Sequence, residues 1–136
     1  MENLVRILIV DDDADDRKLF IDAIKEVDFG IKCVTAKDGR EALEILNNAG
    51  DLPDYIFLDL RMPGYNGKNC LFEIKNDQRL KDIPVIVYTT SRELEDSAEM
   101  KSLGAAHFIS KPSNPDDIYY VVAQVLEEEL FRSSKK

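Results

Sequence analysis

Short aliphatic runs, each ending at a polar residue and each followed by a helical pattern, constrain this chain more than any other feature. Residues 4–10, LVRILIV, are nearly continuous aliphatics, as a strand buried on both faces must be. Residues 14–28 follow with Leu19, Phe20, Ala23, Ile24 and Val27 at one-sided helical spacing. IKCVT at 31–35 alternates apolar and polar residues and reads as an edge strand; 38–49 then carries Ala42, Leu43 and Leu46 on one helical face. DYIFL at 54–58 is a third strand, followed by the turn-rich loop RMPGYNG and a short helix over 67–76. Pro84 opens the strand VIVY, a weakly patterned helix covers 92–102, and His107 to Ile109 form a fifth strand. Asn114 or Ser113 caps a last helix with Ile118, Val121, Val122, Val125, Leu126 and Leu130 on one stripe.

Five strand–helix units predict parallel strands with helices on both faces of the sheet. Right-handed crossovers and a half-polar second strand predict the order 2-1-3-4-5, a flavodoxin-like, doubly wound α/β fold with five helices. The 136 residues predict one domain over 1–136 with its core at about 4–131. With 27 acidic against 18 basic residues the chain gains nothing from counterion release, which argues against nucleic acid and an anionic membrane as partners. Cys33 and Cys70 match no disulfide framework or zinc spacing and read as free thiols. MENLVRILIVDDD has no signal-peptide pattern, and no apolar run reaches the ~18 residues of a membrane span, so the cytoplasm is the expected compartment.

The residues that end the strands carry the chemistry. Asp11 and Asp12 follow strand 1, Asp59 strand 3, Thr89 strand 4 and Lys111 strand 5. In a parallel sheet these ends share one edge, and ligands bind there where the strand order reverses, between strands 1 and 3. Three carboxylates brought together need protonation or a cation. Mg²⁺ suits them, since it takes one or two carboxylates, keeps several waters and shares phosphate ligands. A carboxylate can also accept a phosphoryl group, with a lysine and a hydroxyl to hold the phosphoryl oxygens. The remaining acids of VDDDADDRKLF, namely Asp13, Asp15 and Asp16, fall at the start of helix 1 and read as cap and first-turn charge without chemistry, with Arg17 softening their repulsion.

With these residues in place, the chain resembles the receiver domains of two-component response regulators. The motifs are ILIVDDD (7–13), IFLDLRMPGYNG (56–67), PVIVYTTS (84–91) and GAAHFISKP (104–112). The resemblance implies that Asp59 is the phosphoacceptor, and that Asp11, Asp12, Asp59 and the backbone carbonyl of Arg61 hold Mg²⁺. It implies Thr89 as the switch hydroxyl, with Thr90 beside it, Phe108 as the switch aromatic, Lys111 as partner of Asp59 and then of the phosphoryl group, and a cis Lys111–Pro112 bond. Phe108 stands where many receivers have tyrosine and has no hydroxyl. Arg61 and Ser91 flank the pocket as candidates for controlling water access.

IKNDQRLKDIPVIVYTTS (74–91) is similar to the single-domain receivers of phytochrome-like kinases. The implied partners are a sensor histidine kinase and a downstream protein or phosphotransfer partner, with homodimerisation open and the readout on helix 4, strand 5 and helix 5. His107 reads as a half-buried strand residue, and Tyr119, Tyr120 and Phe131 as packing or interface. A haloacid-dehalogenase-type phosphatase would need an aspartate at Arg61, and a flavin carrier would not place aspartates in its phosphate loop.

Overall fold

A computed structural model of the chain describes residues 5–28, 30–60, 67–90 and 94–134, without the side chains of 94–96 and 130–134. The strands are β1 (Arg6–Val10), β2 (Lys32–Ala36), β3 (Tyr55–Leu58), β4 (Val85–Thr89) and β5 (His107–Ser110). The helices are α1 (Ala14–Val27), α2 (Gly39–Asn48), α3 (Gly67–Lys75), α4 (Leu94–Ser102) and α5 (Ile118–Ser134). All four strand pairings are parallel and the order is β2-β1-β3-β4-β5, as the alternation predicts.

Each central strand feeds two cores because its side chains alternate between faces. Ile7, Ile9, Phe57, Ile86 and Tyr88 face a core completed by Phe20, Ala23 and Ile24 of α1 and Ile118, Val122, Val125 and Leu126 of α5. Leu8, Val10, Ile56, Leu58, Val85 and Val87 face the other, closed by Ala42, Leu46, Cys70, Leu71, Ile74 and Met100. The two edge strands differ. Lys32 and Val34 of β2 are exposed, while β5 is half-buried along its whole length. No described helix is long and apolar enough to cross a membrane.

Local rules account for most boundaries. Asp13 caps α1, its carboxylate accepting the Asp15 and Asp16 N–H groups at 2.8 and 3.1 Å. Asp38 caps α2 in the same way. Asn114 caps a 3-10 turn, Pro115–Asp117, that leads into α5, which settles the choice between Asn114 and Ser113. The weakly patterned α4 is anchored by Met100, which is fully buried, and the turn that follows it passes through Gly104 with φ +108°, a left-handed position that glycine adopts without strain. β2 runs one residue later than the alternation suggests, because Lys32 is the first residue in register with β1.

Candidate functional site

The sheet ladder continues past the strand ends and fixes the residues found there. The Asp11 N–H donates to the Ala36 carbonyl, the Asp59 N–H to the Val10 carbonyl and the Lys111 N–H to the Thr89 carbonyl, at 3.0, 3.0 and 2.7 Å. These bonds tie β2, β1 and β3 to one another, and β5 to β4, at the edge where the candidate residues sit. Asp11 and Asp59 are buried, Asp12 is exposed, and one carboxylate oxygen from each lies within 4.8 Å of the others. Three hard oxygen donors at this separation, one of them open to solvent, fit a small divalent cation.

Lys111 supplies the positive charge of this cluster. Its ammonium lies 2.7 Å from Asp11 Oδ2, 3.2 Å from Asp59 Oδ2 and 3.1 Å from Asp16 Oδ2. The pairing with Asp59 is the one the resemblance implies; the shorter one to Asp11 and the one to Asp16 are additional to it. Asp16 is thus more than first-turn charge. The cap role foreseen for the helix start falls on Asp13, which frees the Asp16 carboxylate to turn toward Lys111. Arg17, expected to soften the repulsion of the acidic run, donates from its guanidinium to the Asp11 carbonyl at 2.6 Å and braces the turn out of β1.

The proton affinities follow from this crowding. Burial would by itself push the Lys111 ammonium down, but the hydrogen bond to Asp11 and the charges of Asp59 and Asp11 outweigh it and hold its pKa above the ordinary lysine value. Burial pushes the Asp11 carboxyl up, even though Lys111 and the Asp13 N–H pull the other way. Both directions have one cause: a single ammonium shared among several carboxylates keeps its own charge firmly and cannot fully offset the desolvation of Asp11.

The remaining candidates fall around this centre. Thr89 is the last residue of β4 and fully buried, whereas Thr90 is exposed. Phe108 is half-buried and packs on the α2–α3 side of the sheet. The Lys111–Pro112 bond is trans, not cis as the resemblance implies, and every described peptide bond is trans. Trans is the intrinsically preferred form, and Lys111 reaches its three carboxylates from it. Arg61 and Ser91 lie outside the described residues, as do the Leu130 and Phe131 side chains.

Two features of the site escaped sequence reasoning. Tyr88, buried against Phe20 with ring centroids 4.9 Å apart, places its ring 5.6 Å from the Lys111 ammonium. Burial pushes its hydroxyl up to about 12. Gly67 opens α3 against the backbone after β3: a Cβ there would meet the Asp59 carbonyl oxygen at 2.5 Å and Leu60 Cα at 2.7 Å. Away from the site, His107 does more than fill a strand position. Its Nε2 lies 2.7 Å from Glu129 Oε2, an acid buried on the α5 stripe.

With this geometry established, comparison with known proteins is specific. The response regulator receiver domain family matches over residues 7–123. A probable transcriptional regulator, ycf27 of Guillardia theta, is 32% identical over 93% of this chain, which spans only 47% of that protein. The phosphorylated cyanobacterial phytochrome response regulator RcpA superposes with a TM-score of 0.86 at 32% identity, covering 92% of this chain and 93% of that one. The Mn(2+)-bound form of response regulator Rcp1 superposes with a TM-score of 0.81 at 30% identity, covering 89% and 91%. Motifs, sheet order and matches agree: the chain belongs to the response regulator receiver domain family of two-component signalling.

Proposed function

We propose that this chain acts as a response regulator receiver that accepts a phosphoryl group on Asp59 from a sensor histidine kinase. The observation that carries the reading is the meeting of Asp11, Asp12 and Asp59 oxygens within 4.8 Å, with Lys111 drawn against two of them. Asp11, Asp12 and Asp59, with the Arg61 carbonyl, would hold Mg²⁺, which supplies charge that offsets the repulsion between a carboxylate and an incoming phosphate. A related regulator, Rcp1, is known in a Mn(2+)-bound form, which supports a divalent cation here.

In the transfer, an Asp59 carboxylate oxygen attacks the phosphorus of a phosphohistidine. The P–O bond forms as the P–N bond breaks, and the departing imidazole keeps the electron pair and takes up a proton. Lys111, held charged by its carboxylate partners, meets a phosphoryl oxygen, and the buried Thr89 hydroxyl meets another. Movement of Thr89 toward the phosphoryl group opens space behind it, and Phe108 turns in. The result is a population shift that alters α4, β5 and α5 rather than a new fold. The protein turns over no small molecule beyond its own phosphoryl group, works in the cytoplasm, and signals through a protein partner. Its likeness to a phytochrome regulator points to a phytochrome-like kinase.

Incubation with acetyl phosphate and Mg²⁺ tests the site. The wild-type chain should take up one phosphoryl group, and Asp59→Asn or chelation of the metal should abolish uptake. Retained labelling of Asp59→Asn would remove Asp59 from the role, and labelling in chelator would remove the metal.

A further inference from the structure

The Lys111 ammonium has three N–H donors, and three carboxylates, Asp11, Asp16 and Asp59, stand within hydrogen-bonding distance of it. A phosphoryl oxygen that meets Lys111 therefore shares the ammonium with whichever of them stay on it. On the reading above, Asp59 becomes the acyl phosphate and Asp11 turns to the cation. Asp16 lies outside the cluster of Asp11, Asp12 and Asp59 and has neither outlet. Nor is it needed as a cap, because Asp13 serves the first turn of α1.

Beside this contact lies a pocket of about 150 Å³ between α1 and the start of α5. Asp16, Tyr88, Lys111, Ser113 and Ile118 are among its walls. The pocket leaves room on the Asp16 side of the ammonium, and the Tyr88 ring, 5.6 Å from it, borders the same space. Asp16 is itself 40% exposed at its side chain, against 9% for Lys111, so it can follow or release the ammonium at little steric cost.

We propose that Asp16 is a positioning residue that competes with the phosphoryl group for Lys111 and so lowers the readiness of Asp59 to be phosphorylated. The inference rests on Asp59 being the phosphoacceptor. Asp16 touches no reacting atom; it acts through the lysine alone.

The test compares initial labelling rates of the full chain with acetyl phosphate and Mg²⁺. Asp16→Asn keeps the shape and removes the charge, and it should label about two- to fivefold faster than wild type, the range that a partly exposed ion pair supports. Asp15→Asn removes the same charge one residue away, from an exposed side chain, and should stay near the wild-type rate. Asp16→Glu restores a carboxylate and should return the rate toward wild type, which a purely steric role would not do. Equal rates for Asp16→Asn and Asp15→Asn, with Asp59→Asn still silent, would overturn the role of Asp16 and leave the phosphoacceptor standing. Labelling of Asp59→Asn would instead overturn the phosphoacceptor.

Discussion

Replacing Lys111 by Met keeps the aliphatic stem and removes an ammonium that pairs with Asp11 and Asp59 together. Both acids are buried, at 5% and 6% exposure, and their partner is buried at 9%. Breaking a buried ion pair by removing one partner costs about 3–5 kcal/mol, because the remaining charge is left uncompensated. Here two buried charges are left, though Asp12 and Asp16 open the cluster to solvent on one side, so the lower half of that range is the better expectation.

For a chain of this length a loss of about 3 kcal/mol corresponds to a fall in Tm of roughly 9–15 °C. The assay is urea or thermal unfolding of wild type and Lys111→Met in chelator at pH 7 and again near pH 5. The sign is fixed by the Asp11 carboxyl, whose folded pKa lies above its unfolded value. Such a group favours the folded state at low pH, and that contribution is lost as pH rises through its folded pKa. Without Lys111 its hydrogen bond and its charge no longer pull Asp11 down and the Asp13 N–H alone still does, so the Asp11 pKa rises further and the deficit of the variant shrinks on acidification. Added Mg²⁺ should also recover part of it. A variant as stable as wild type in chelator at pH 7, or a deficit that grows at pH 5, would refute the claim that Lys111 compensates buried carboxylates.

Two further perturbations probe the frame around the site. Gly67→Ala forces a Cβ to within 2.5 Å of the Asp59 carbonyl oxygen, a backbone atom that cannot swing aside. It should cost about 1–3 kcal/mol in chemical unfolding and slow labelling of Asp59, and unchanged values in both would disprove the close approach of α3. The Cys70 thiol is fully buried and pushed up to about 12 by burial, so at pH 8 a thiol reagent should modify it only after denaturation, whereas half-buried Cys33 reacts sooner; rapid native modification of Cys70 would contradict its packing.

The sheet order and the position of Asp11, Asp59, Thr89 and Lys111 at one edge were legible in the sequence for a simple reason. Each is the residue at which an aliphatic strand stops, and parallel topology places all such stops together. The split of the acidic run was legible in part, since cap chemistry acts over two or three residues and Asp13 shows it directly. The trans Lys111–Pro112 bond departs from what the family resemblance implies, and the resemblance had no physical hold on it. Met100 as the anchor of α4 was hidden because its neighbours carry no apolar period.

What the sequence determines by itself is local: which segments bury two faces, which bury one, and which residues interrupt them, because side-chain periodicity and capping depend only on neighbours along the chain. What the tertiary structure decides is pairing across the fold. Lys111 meets Asp16 over 95 residues of chain, His107 meets Glu129 over 22, and Gly67 must be bare because the Asp59 backbone lies against it. No spacing rule encodes these contacts. They depend on how α1, α3 and α5 settle on the sheet, and the balance of charge around Asp59 is set by that settling.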